Sequence, residues 1–507
     1  MQNLHLPQDY VAREEPKYFD DSQFADGDLI YQPEVYEAAD YLSRTTGRSK
    51  IIDFGCGCAR KLQSVTGAHH IGVDFGPNIE ACKARFPEWG EWIEADFSSP
   101  QCREMEGLAD EQSIVICSDV IEHLVDPTYL SALLKACFDR GAIVLTSTPD
   151  RVRLWGSEHK GPPPNPAHIR EWALDEYVGF LGEQGLPTFW AGYTYNNNID
   201  RRPVTILTIH DPGTTGSTSQ MVRPLAILSA FNEEDVIGEV VDDWIEQGCD
   251  VYVLDNWSTD STYAIASALC DKHADRVTLE RFPAEATAIY QWEKILRRKE
   301  EIASGWPGRW IIHTDADEIR RAPGPYLTMA AGLAMAEAYG SNRISFNLIN
   351  HRPLSAEPFS PGTLRSAFQH FEFGTLPGHF VQTKAWMQGK ARVDLAESAG
   401  HTVQFDGARN FPYKFLLKHY PIRSQEHGQL KILAQRRQRW APEERARGWH
   451  VQYDHIDDST SFVWDARALH AEGPNFWADY GYSIMTDALQ TGLRNSSCPG
   501  LMPFPGH

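Results

Sequence analysis

An apolar run opens into a loop of small residues at Ile51-Ile52-Asp53-Phe54-Gly55-Cys56-Gly57-Cys58-Ala59-Arg60. The run predicts a buried strand at residues 50–54, and the small residues after it let a ligand approach the backbone closely. Four more short apolar runs follow, most of them separated by helical stretches, at residues 70–74, 92–95, 113–118 and 142–147. Apolar strands that alternate with helices predict an α/β fold with a mostly parallel sheet.

Acidic residues accompany the ends of these strands, where ligands bind in such sheets. Asp53 lies two residues before the first glycine of the loop, and Asp74, about 20 residues further on, can accept hydrogen bonds from ribose hydroxyls. Asp96 and Asp119 follow the third and fourth predicted strands. A dinucleotide fingerprint, G-x-G-x-x-G, is excluded because Arg60 stands where its third glycine belongs.

Residues from about 20 to 210 resemble the class I S-adenosylmethionine methyltransferases. Three phrases carry the resemblance together: Asp53-Phe-Gly-Cys-Gly57, Gly72-Val-Asp74 and Asp119-Val-Ile-Glu-His-Leu124. The resemblance implies a Rossmann-like fold and S-adenosyl-L-methionine as methyl donor. The implied donor-binding residues are Asp53, Gly55, Cys56 and Gly57 at the methionine end, Asp74 at the ribose, Asp96 near the adenine, and Asp119. The family often has a third glycine where this chain has Ala59.

Transfer of a methyl group to a hydroxyl is helped by a general base. The candidates are His123, in the Glu-His pair of the third phrase, and His168, in Asn165-Pro-Ala-His-Ile-Arg-Glu-Trp172. A capping or packing role is the alternative for each histidine. The segment 19–36 is interpreted either as a cap on the donor pocket, with Tyr31 or Gln32 touching the ligand, or as lead-in chain that packs on the sheet.

A second α/β pattern begins after the stretch Asp211-Pro-Gly-Thr-Thr-Gly-Ser-Thr-Ser-Gln220, which has the small polar composition of a flexible linker. The predicted organisation is a first domain at 1–210, a linker at 211–222 and a second domain at 223–507 that includes an irregular C-terminal extension. The second domain is predicted to contain a helix over 233–247 with Asn232 as N-cap, and strands at 225–230, 251–254, 277–279 and 310–313.

Polar phrases end three of these strands: Phe231-Asn-Glu-Glu234, Asp255-Asn-Trp-Ser-Thr-Asp-Ser-Thr262 and Asp315-Ala-Asp-Glu318. Two carboxylates one residue apart, as in the third phrase, can bind a hard divalent cation. A calcium EF-hand is excluded because its sixth position, which needs glycine, is Arg320. From about residue 222 to 430 the chain resembles the family 2 type glycosyltransferases of the GT-A fold.

This second resemblance implies a nucleotide-sugar donor, with a UDP-sugar favoured, and a divalent cation, Mn²⁺ or Mg²⁺. The implied residues are Asn232, Glu233, Asp255 and Asn256 for the donor, and Asp315, Asp317 and His419 for the metal, with His401 as the alternative histidine. An inverting transfer also needs a carboxylate base. The candidates are Asp394, Glu397 and Glu372, and Glu397 is preferred because it precedes His401 in a Gly-rich polar turn.

The composition excludes several other classes of protein. The chain has 507 residues, a formal net charge of −22 and a pI near 5.3, which argues against a nucleic-acid binder. No run approaches the ~18 apolar residues of a transmembrane helix, and the first residues lack the basic and apolar regions of a signal peptide. Nine cysteines, an odd number, fit reduced thiols. The chain is therefore expected in the cytoplasm.

Two donor sites in one chain predict a bifunctional enzyme that transfers a methyl group and a sugar. Both transfers are expected to act on one glycan or glycoconjugate, such as a surface polysaccharide. Three alternatives are kept. One domain is a non-catalytic scaffold, or the methyl acceptor is a small metabolite or protein unrelated to the sugar, or the whole chain is a non-catalytic glycan-binding protein.

Overall fold

The computed structural model of the chain describes residues 4–17, 19–21, 27–216, 222–374, 380–449 and 451–488. The chain divides into two compact units: the first comprises Met1–Gly216 and Trp477–Ser497, and the second Ser217–Phe476 and Cys498–His507. The predicted fold class, two α/β domains, is confirmed. Part of the predicted linker, 217–221, and the end of the predicted extension, 489–507, lie outside the described residues.

The first unit is built on a single sheet. Its strands are β1 (Lys50–Phe54), β2 (His69–Asp74), β3 (Glu91–Glu94), β4 (Ser113–Ser118), β5 (Ile143–Pro149), β6 (Trp190–Thr194) and β7 (Thr205–His210). Its helices before the linker are α1 (Pro33–Thr46), α2 (Pro77–Arg85), α3 (Thr128–Asp139), α4 (Arg151–Trp155) and α5 (Leu174–Glu183). Among the described residues the strand order is β3-β2-β1-β4-β5-β7-β6. The strands β1 to β5 run parallel, and β7 is antiparallel to both its neighbours.

The centre of this sheet is formed by the most apolar strands. β1 and β4 lie side by side, and both begin and end where the apolar runs predict. Ile51, Ile52 and Phe54 of β1 are fully buried, as a strand covered on both faces requires. The loop after β1 therefore starts from the middle of the carboxyl edge of the sheet, next to the loop after β4.

The second unit also has one large sheet. Its strands are β8 (Leu225–Ala230), β9 (Asp250–Asp255), β10 (Val277–Arg281), β11 (Trp310–Asp315), β12 (Glu318–Arg321), β13 (Arg343–His351), β14 (His370–Phe373), β15 (Val381–Met387), β16 (Phe415–His419) and β17 (His470–Ala471). Its helices are α6 (Ile237–Glu246), α7 (Thr262–Lys272), α8 (Trp292–Ser304), α9 (Met329–Ala338), α10 (Leu364–Ala367), α11 (Gln425–Gln429) and α12 (Pro442–Ala446). A π-helix, Leu430–Arg436, continues α11.

The described strands of this sheet follow the order β10-β9-β8-β11-β15-β13-β14-β17, and β16 pairs with β12 and β13. The first four in this order run parallel, and β15 is antiparallel to β11. The carboxyl ends of β9, β8 and β11 consequently lie next to each other. These are the three strands whose ends carry the polar phrases found in the sequence.

The helix after β8 begins later than the sequence predicts. It starts at Ile237 with Val236 at the N-cap, so the predicted helix start at Glu233 and the predicted N-cap at Asn232 are wrong. Asn232 has a left-handed backbone, with φ of +54°, and its Oδ1 accepts a hydrogen bond from the Thr259 amide at 2.8 Å. The amide side chain therefore joins two loops instead of capping a helix.

The last described helix, α13 (Phe476–Met485), belongs to the first unit from Trp477 onward. The indole of Trp190 in β6 donates to the Trp477 carbonyl at 3.2 Å, and the Tyr41 hydroxyl donates to the Met485 carbonyl at 3.3 Å. Asp479 forms an ion pair with Arg153. Residues 477–488 of the predicted second domain, 223–507, therefore lie in the first unit, where α13 packs beside the strand at the edge of the first sheet.

Across the described residues, no helix has both the length and the apolar character needed to cross a membrane.

Candidate functional sites

The loop after β1 has a backbone that requires glycine. Gly55 and Gly57 have φ of +82° and +55°, and a Cβ on Gly55 would lie 2.2 Å from Cγ2 of Val120. Ala59, where the resembling family often has glycine, is also left-handed with φ of +60°. This conformation costs an alanine more than a glycine, and full burial of Ala59 holds it in place.

Asp74 fixes this loop from the end of β2. Its two carboxylate oxygens accept hydrogen bonds from the amides of Gly57 and Phe75, both at 2.7 Å. Burial raises the pKa of Asp74 to about 6. Each oxygen of a carboxylate has a second lone pair, so Asp74 retains the capacity to accept a further hydrogen bond, and its role at a ribose stays a prediction.

Asp53 is fully buried in β1 beneath the loop. Its Oδ2 accepts a hydrogen bond from the Tyr36 hydroxyl at 3.0 Å, whereas its Oδ1 is buried without a hydrogen-bond partner. Burial raises the pKa of Asp53 to about 7. A buried carboxylate oxygen without a hydrogen-bond partner lowers the stability of the folded protein. Such an oxygen is suited to accept a hydrogen bond from a ligand.

The substitution Asp53→Asn should stabilise the ligand-free protein at alkaline pH. Because the folded-state pKa lies above that of the unfolded chain, the wild type loses stability as the pH rises from about 4 to about 7. We expect a gain in unfolding free energy of about 2–4 kcal/mol at pH 8 that shrinks toward zero at pH 4. Urea unfolding of both proteins across this pH range measures it. A gain independent of pH would contradict the assigned burial effect.

Asp119 and Asp96 lie in contrasting surroundings. Asp119, directly after β4, accepts hydrogen bonds from the Ser147 hydroxyl at 2.6 Å and from the side chain of Gln32, and burial raises its pKa. The structure thus brings Gln32 of the predicted cap segment to a predicted site residue. Asp96 is exposed beyond β3, where it accepts hydrogen bonds from the amide and hydroxyl of Ser98.

Asp21 is a site residue that the sequence did not reveal. Its Oδ2 accepts from the amide of Cys58 at 3.0 Å, and a Cβ on Gly57 would lie 2.4 Å from this oxygen. Cys56, predicted for the same loop, is buried and its thiol lies 3.6 Å from the Gly57 carbonyl. The cap segment therefore touches the loop through Asp21, although residues 22–26 lie outside the described part of the chain.

His123 and His168 lie together with Glu122, and the three residues form what we call the acidic-histidine cluster. One ligand atom from each can be chosen so that all three lie within 4.8 Å of one another. His168 is bonded through both ring nitrogens, to Glu171 at 2.6 Å and to Asn165 at 2.8 Å. Burial lowers the pKa of His123 to about 4, which makes it a weak base near neutral pH.

Glu122 completes this cluster from a fully buried position. Its Oε2 accepts from the Thr148 hydroxyl at 3.1 Å, and its Oε1 is buried without a partner. Burial raises the pKa of Glu122 well above its usual range, and nearby Asp119 adds to the effect. Two imidazoles and a carboxylate are a ligand set that a divalent cation can use. The geometry therefore offers metal binding beside the predicted role of the histidines as bases.

In the second unit, the loops after β8 and β9 are joined by polar side chains. The backbone amide of Glu233 donates to the Thr262 hydroxyl at 2.8 Å. The bond between Asn232 and Thr259 joins the same two loops. Asp255 is fully buried at the end of β9 and faces the guanidinium of Arg281 at 3.5 Å.

Asn256 connects this region to the C-terminal part of the unit. Its amide donates to the Phe282 carbonyl at 2.9 Å, and its Oδ1 accepts from Arg439 at 3.0 Å. The guanidinium of Arg439 also lies over the ring of Phe231, 3.8 Å from its centre. A segment far along the chain thus closes over the ends of β8 and β9.

The D-x-D phrase forms the turn between β11 and β12. Oδ1 of Asp315 accepts a hydrogen bond from the Ser229 hydroxyl at 2.6 Å, and the amide of Asp315 donates to the Glu318 carboxylate at 3.0 Å. Lys299 lies behind Asp315, with 3.7 Å between Nζ and Oδ1. The first carboxylate of the phrase is therefore held from β8 and from α8.

Lys299 is a second residue that the sequence analysis missed. It is fully buried and donates to the Ser229 hydroxyl at 3.0 Å and to the Thr314 carbonyl at 2.8 Å, while Nδ1 of His313 lies at 2.8 Å. Burial lowers the pKa of Lys299 to about 7. The available signal was its position, since it shares the apolar stripe of α8 with Leu296 and Ala303, where a lysine is unusual.

Asp317, the second carboxylate of the phrase, lies next to His419 of β16. Nε2 of His419 is 3.9 Å from Oδ2 of Asp317, and its Nδ1 contacts Oδ1 of Asn350 at 2.9 Å. Burial lowers the pKa of His419 to about 4, so the ring is neutral at physiological pH. Since Nδ1 is engaged with an acceptor, Nε2 carries the lone pair, as a metal-binding imidazole requires. The alternative histidine, His401, instead contacts Gln382, with 3.2 Å between Nδ1 of His401 and Nε2 of Gln382.

Two buried cations meet the carboxylates at this place. Lys431 of the π-helix lies 2.8 Å from Oδ2 of Asp317 and 2.9 Å from Oε1 of Glu233. Arg423 pairs with both Glu233 and Asp235. Burial opposes the charge of Asp317, but Lys431 outweighs it and holds the pKa of Asp317 well below its usual range.

The carboxylates predicted as catalytic bases contact residues outside the D-x-D turn. Asp394 pairs with Arg297 at 3.2 Å and caps the amide of Glu397 at 2.9 Å. Glu372 pairs with Arg352. Within the described residues, none of these three carboxylates shares a hydrogen bond or an ion pair with Asp315 or Asp317, so their role as base stays a prediction.

Residues 226–319 match the model of glycosyl transferase family 2. The matched region contains Asn232, Glu233, Asp255, Asn256, Asp315 and Asp317. None of the curated proteins matches the chain significantly. The likeness to known proteins thus covers the strands that carry the second site.

Several solved methyltransferase structures overlap part of the chain. An S-adenosylmethionine-dependent methyltransferase from Aquifex aeolicus shares 13% identity over 38% of this chain and 98% of its own, with a TM-score of 0.28. One from Mesorhizobium loti shares 14% over 35% and 97%, with a TM-score of 0.26. The methyltransferase domain of bacterial CtHen1 shares 19% over 36% and 100%, also with a TM-score of 0.26.

The described strands of the first unit have the order β3-β2-β1-β4-β5-β7-β6, and a loop of small residues follows β1. These have the methyltransferase-like form that the sequence resemblance implies. The chain joins a methyltransferase-like α/β unit to a second α/β unit in which residues 226–319 match the model of glycosyl transferase family 2.

Proposed function

We propose that the chain is a bifunctional transferase, with a methyl transfer from S-adenosyl-L-methionine in the first unit and a glycosyl transfer from a nucleotide-sugar in the second. The observation that carries the proposal is that each unit gathers buried carboxylates at the carboxyl ends of adjacent parallel strands, around Asp53 in one and around Asp317 in the other. In α/β sheets this is where ligands bind.

In the first unit the residues of the chain bind and orient the donor. The unpartnered Oδ1 of Asp53 accepts from the ammonium of the methionine end, and the loop of Gly55 and Gly57 lets that end approach the backbone. Asp74 accepts from the ribose, and Asp96 lies on the adenine side. Alignment of donor and acceptor supplies most of the rate of such a displacement. The acidic-histidine cluster orients the acceptor hydroxyl, and its His168, whose Nδ1 pairs with Glu171, receives the proton.

In the second unit the chain positions a diphosphate-linked sugar. Asp255 and Asn256 stand at the nucleobase side, and Asp315 and Asp317 at the ribose and diphosphate. The residues fit a divalent cation, because Asp317 and the lone pair of His419 face each other at 3.9 Å. Such a cation, when bound, neutralises the leaving diphosphate. The acceptor is a glycan or glycoconjugate, deprotonated by Glu397 or Asp394, and we place the enzyme in the cytoplasm.

The test is a thermal-shift experiment on the full chain with two variants that control for each other. S-adenosyl-L-methionine at 100 times its Kd should stabilise the first unit by about 2.7 kcal/mol, and a UDP-sugar with Mn²⁺ should do the same for the second. Asp53→Ala should lose only the first response and Asp315→Ala only the second. A unit that responds to no donor, in an otherwise folded chain, would be a scaffold and not an enzyme.

A further inference from the structure

Lys431 occupies the position next to the metal-binding carboxylate. Its ammonium contacts Oδ2 of Asp317 at 2.8 Å and Oε1 of Glu233 at 2.9 Å, and the side chains of all three residues are 7% exposed or less. The oxygen of Asp317 that faces His419 is the same oxygen that accepts from Lys431. The ammonium therefore takes a ligand position that a divalent cation needs.

The backbone around Lys431 directs it inward. The π-helix Leu430–Arg436 turns the chain more widely than an α-helix, a distortion that occurs frequently at functional sites. Ile432, next to Lys431, packs in a small core with Ile422, Ile456 and Phe462. Gly428 lets this core approach, because a Cβ there would lie 2.4 Å from the ring of Phe462. Apolar contacts anchor the segment, while ion pairs with Asp317 and Glu233 are the contacts that the described residues make with the ammonium of its lysine.

The pair of carboxylates needs a cation at all times. Asp317 and Glu233 are buried, and a buried carboxylate without a partner is strongly destabilising. An ammonium and a divalent ion that share one carboxylate oxygen repel each other at close range, and the low local dielectric strengthens this repulsion. The two cations are therefore alternatives at Asp317. The flexible four-carbon stem of a lysine allows its ammonium to turn away.

We propose that Lys431 is an exchangeable counter-ion: it neutralises Asp317 and Glu233 in the metal-free protein and leaves Asp317 when a divalent cation binds there with His419. The inference rests on the proposed function of the second unit, because it assumes that this unit takes a metal. It adds that the metal affinity is set by competition with the chain's own ammonium.

The test measures Mn²⁺ binding to the full chain without any nucleotide, from the electron paramagnetic resonance signal of free Mn²⁺. Lys431→Met should bind one Mn²⁺ at least tenfold more tightly than the wild type, and Lys431→Gln should behave in the same way. Lys431→Arg, which keeps the charge, should stay within threefold of the wild type. The second uncharged variant covers the case in which the first does not fold.

Two controls assign the gain in affinity to the contact between Lys431 and Asp317. Lys384→Met removes a buried ammonium that pairs with Glu318 at 3.0 Å, and it should change the affinity less than threefold. Adding Asp317→Asn to Lys431→Met should abolish the gain, which places the ion at this site and not at the acidic-histidine cluster. An unchanged or weaker affinity in Lys431→Met, or an equal gain in Lys384→Met, overturns the proposal.

A failure of the proposed function has a different signature. If neither Mn²⁺ nor a nucleotide-sugar binds to the second unit in any variant, the glycosyl transfer itself is wrong. If the nucleotide-sugar binds and neither the wild type nor Lys431→Met takes up Mn²⁺ at Asp317, only the exchange is overturned.

Discussion

Removal of residues 477–507 is expected to abolish the cooperative melting of the first unit while the second unit melts as before. Helix α13 supplies several fully or nearly fully buried side chains, among them Tyr482, Ile484 and Met485. Each buried apolar side chain of this size contributes about 1.5–3 kcal/mol. Their sum is comparable to the whole stability of an ordinary domain, about 5–15 kcal/mol.

The same deletion also uncovers the first unit. Trp190 loses its hydrogen bond to the Trp477 carbonyl. Gly192 loses its close contact with the Ala478 carbonyl, which would lie 2.5 Å from a Cβ placed on this glycine. Arg153 loses its ion pair with Asp479. The edge strand β6 would then be exposed, which favours aggregation.

Calorimetry of the shortened protein checks this expectation. The comparison protein lacks only residues 489–507, so the difference between the two isolates the contribution of 477–488. S-adenosyl-L-methionine and a nucleotide-sugar assign each transition to its unit. If the first unit of the shorter protein still melts within a few degrees of the comparison protein, the helix is not an integral part of it.

The second large effect is expected from Arg423→Met, which should destabilise the second unit by about 3–5 kcal/mol. The guanidinium of Arg423 is 1% exposed and pairs with Glu233 and Asp235. Methionine fills a similar volume but leaves both carboxylates without this partner. Glu233 is one of the residues implied for donor binding, and it also contacts Lys431. We therefore expect the stabilisation of the second unit by a nucleotide-sugar to disappear.

Urea unfolding measures the effect of this substitution, with the transition of the second unit assigned as the one that S-adenosyl-L-methionine does not shift. The matched control is Arg467→Met, which removes an Arg–Asp pair in which the arginine side chain is 90% exposed. Such a surface pair contributes little, so no measurable change is expected. A loss below about 1 kcal/mol for Arg423→Met would show that the carboxylates find other partners.

The strands that hold both sites were predictable because their sequences are locally unambiguous. β1, β4 and β8 are short apolar runs with a turn before and after each of them. All three begin and end at the predicted residues. Their neighbours differ from the prediction by one or two residues at an end, where polar strand residues such as Asp250 and Asp315 resemble loop residues. Asp53, Asp74, Asp255 and Asp317 could be singled out because they lie at or shortly after the carboxyl ends of these strands, where α/β sheets bind ligands.

What could not be predicted depends on contacts between distant parts of the chain. Asp21 reaches Cys58 across a loop, and Lys431 reaches Glu233 from nearly 200 positions away (431 − 233 = 198). Lys431 lies in the basic stretch 431–439, a pattern that is more typical of a solvated helix face, and only tertiary packing turns this lysine inward. Asparagine is a residue type favoured at helix N-caps. The left-handed backbone of Asn232 and its hydrogen bond to Thr259 override this preference.

The position of α13 also has a consequence for synthesis of the protein. Residues 1–216 leave the ribosome long before Trp477 does, with 477 − 216 = 261 residues between them. At roughly 5–20 residues per second this interval lasts about 13–50 s. During that time the sheet edge at β6 has no covering helix, so the first unit cannot finish folding before the second has been made. A nascent chain of this protein is therefore expected to depend on chaperones until its last helix emerges.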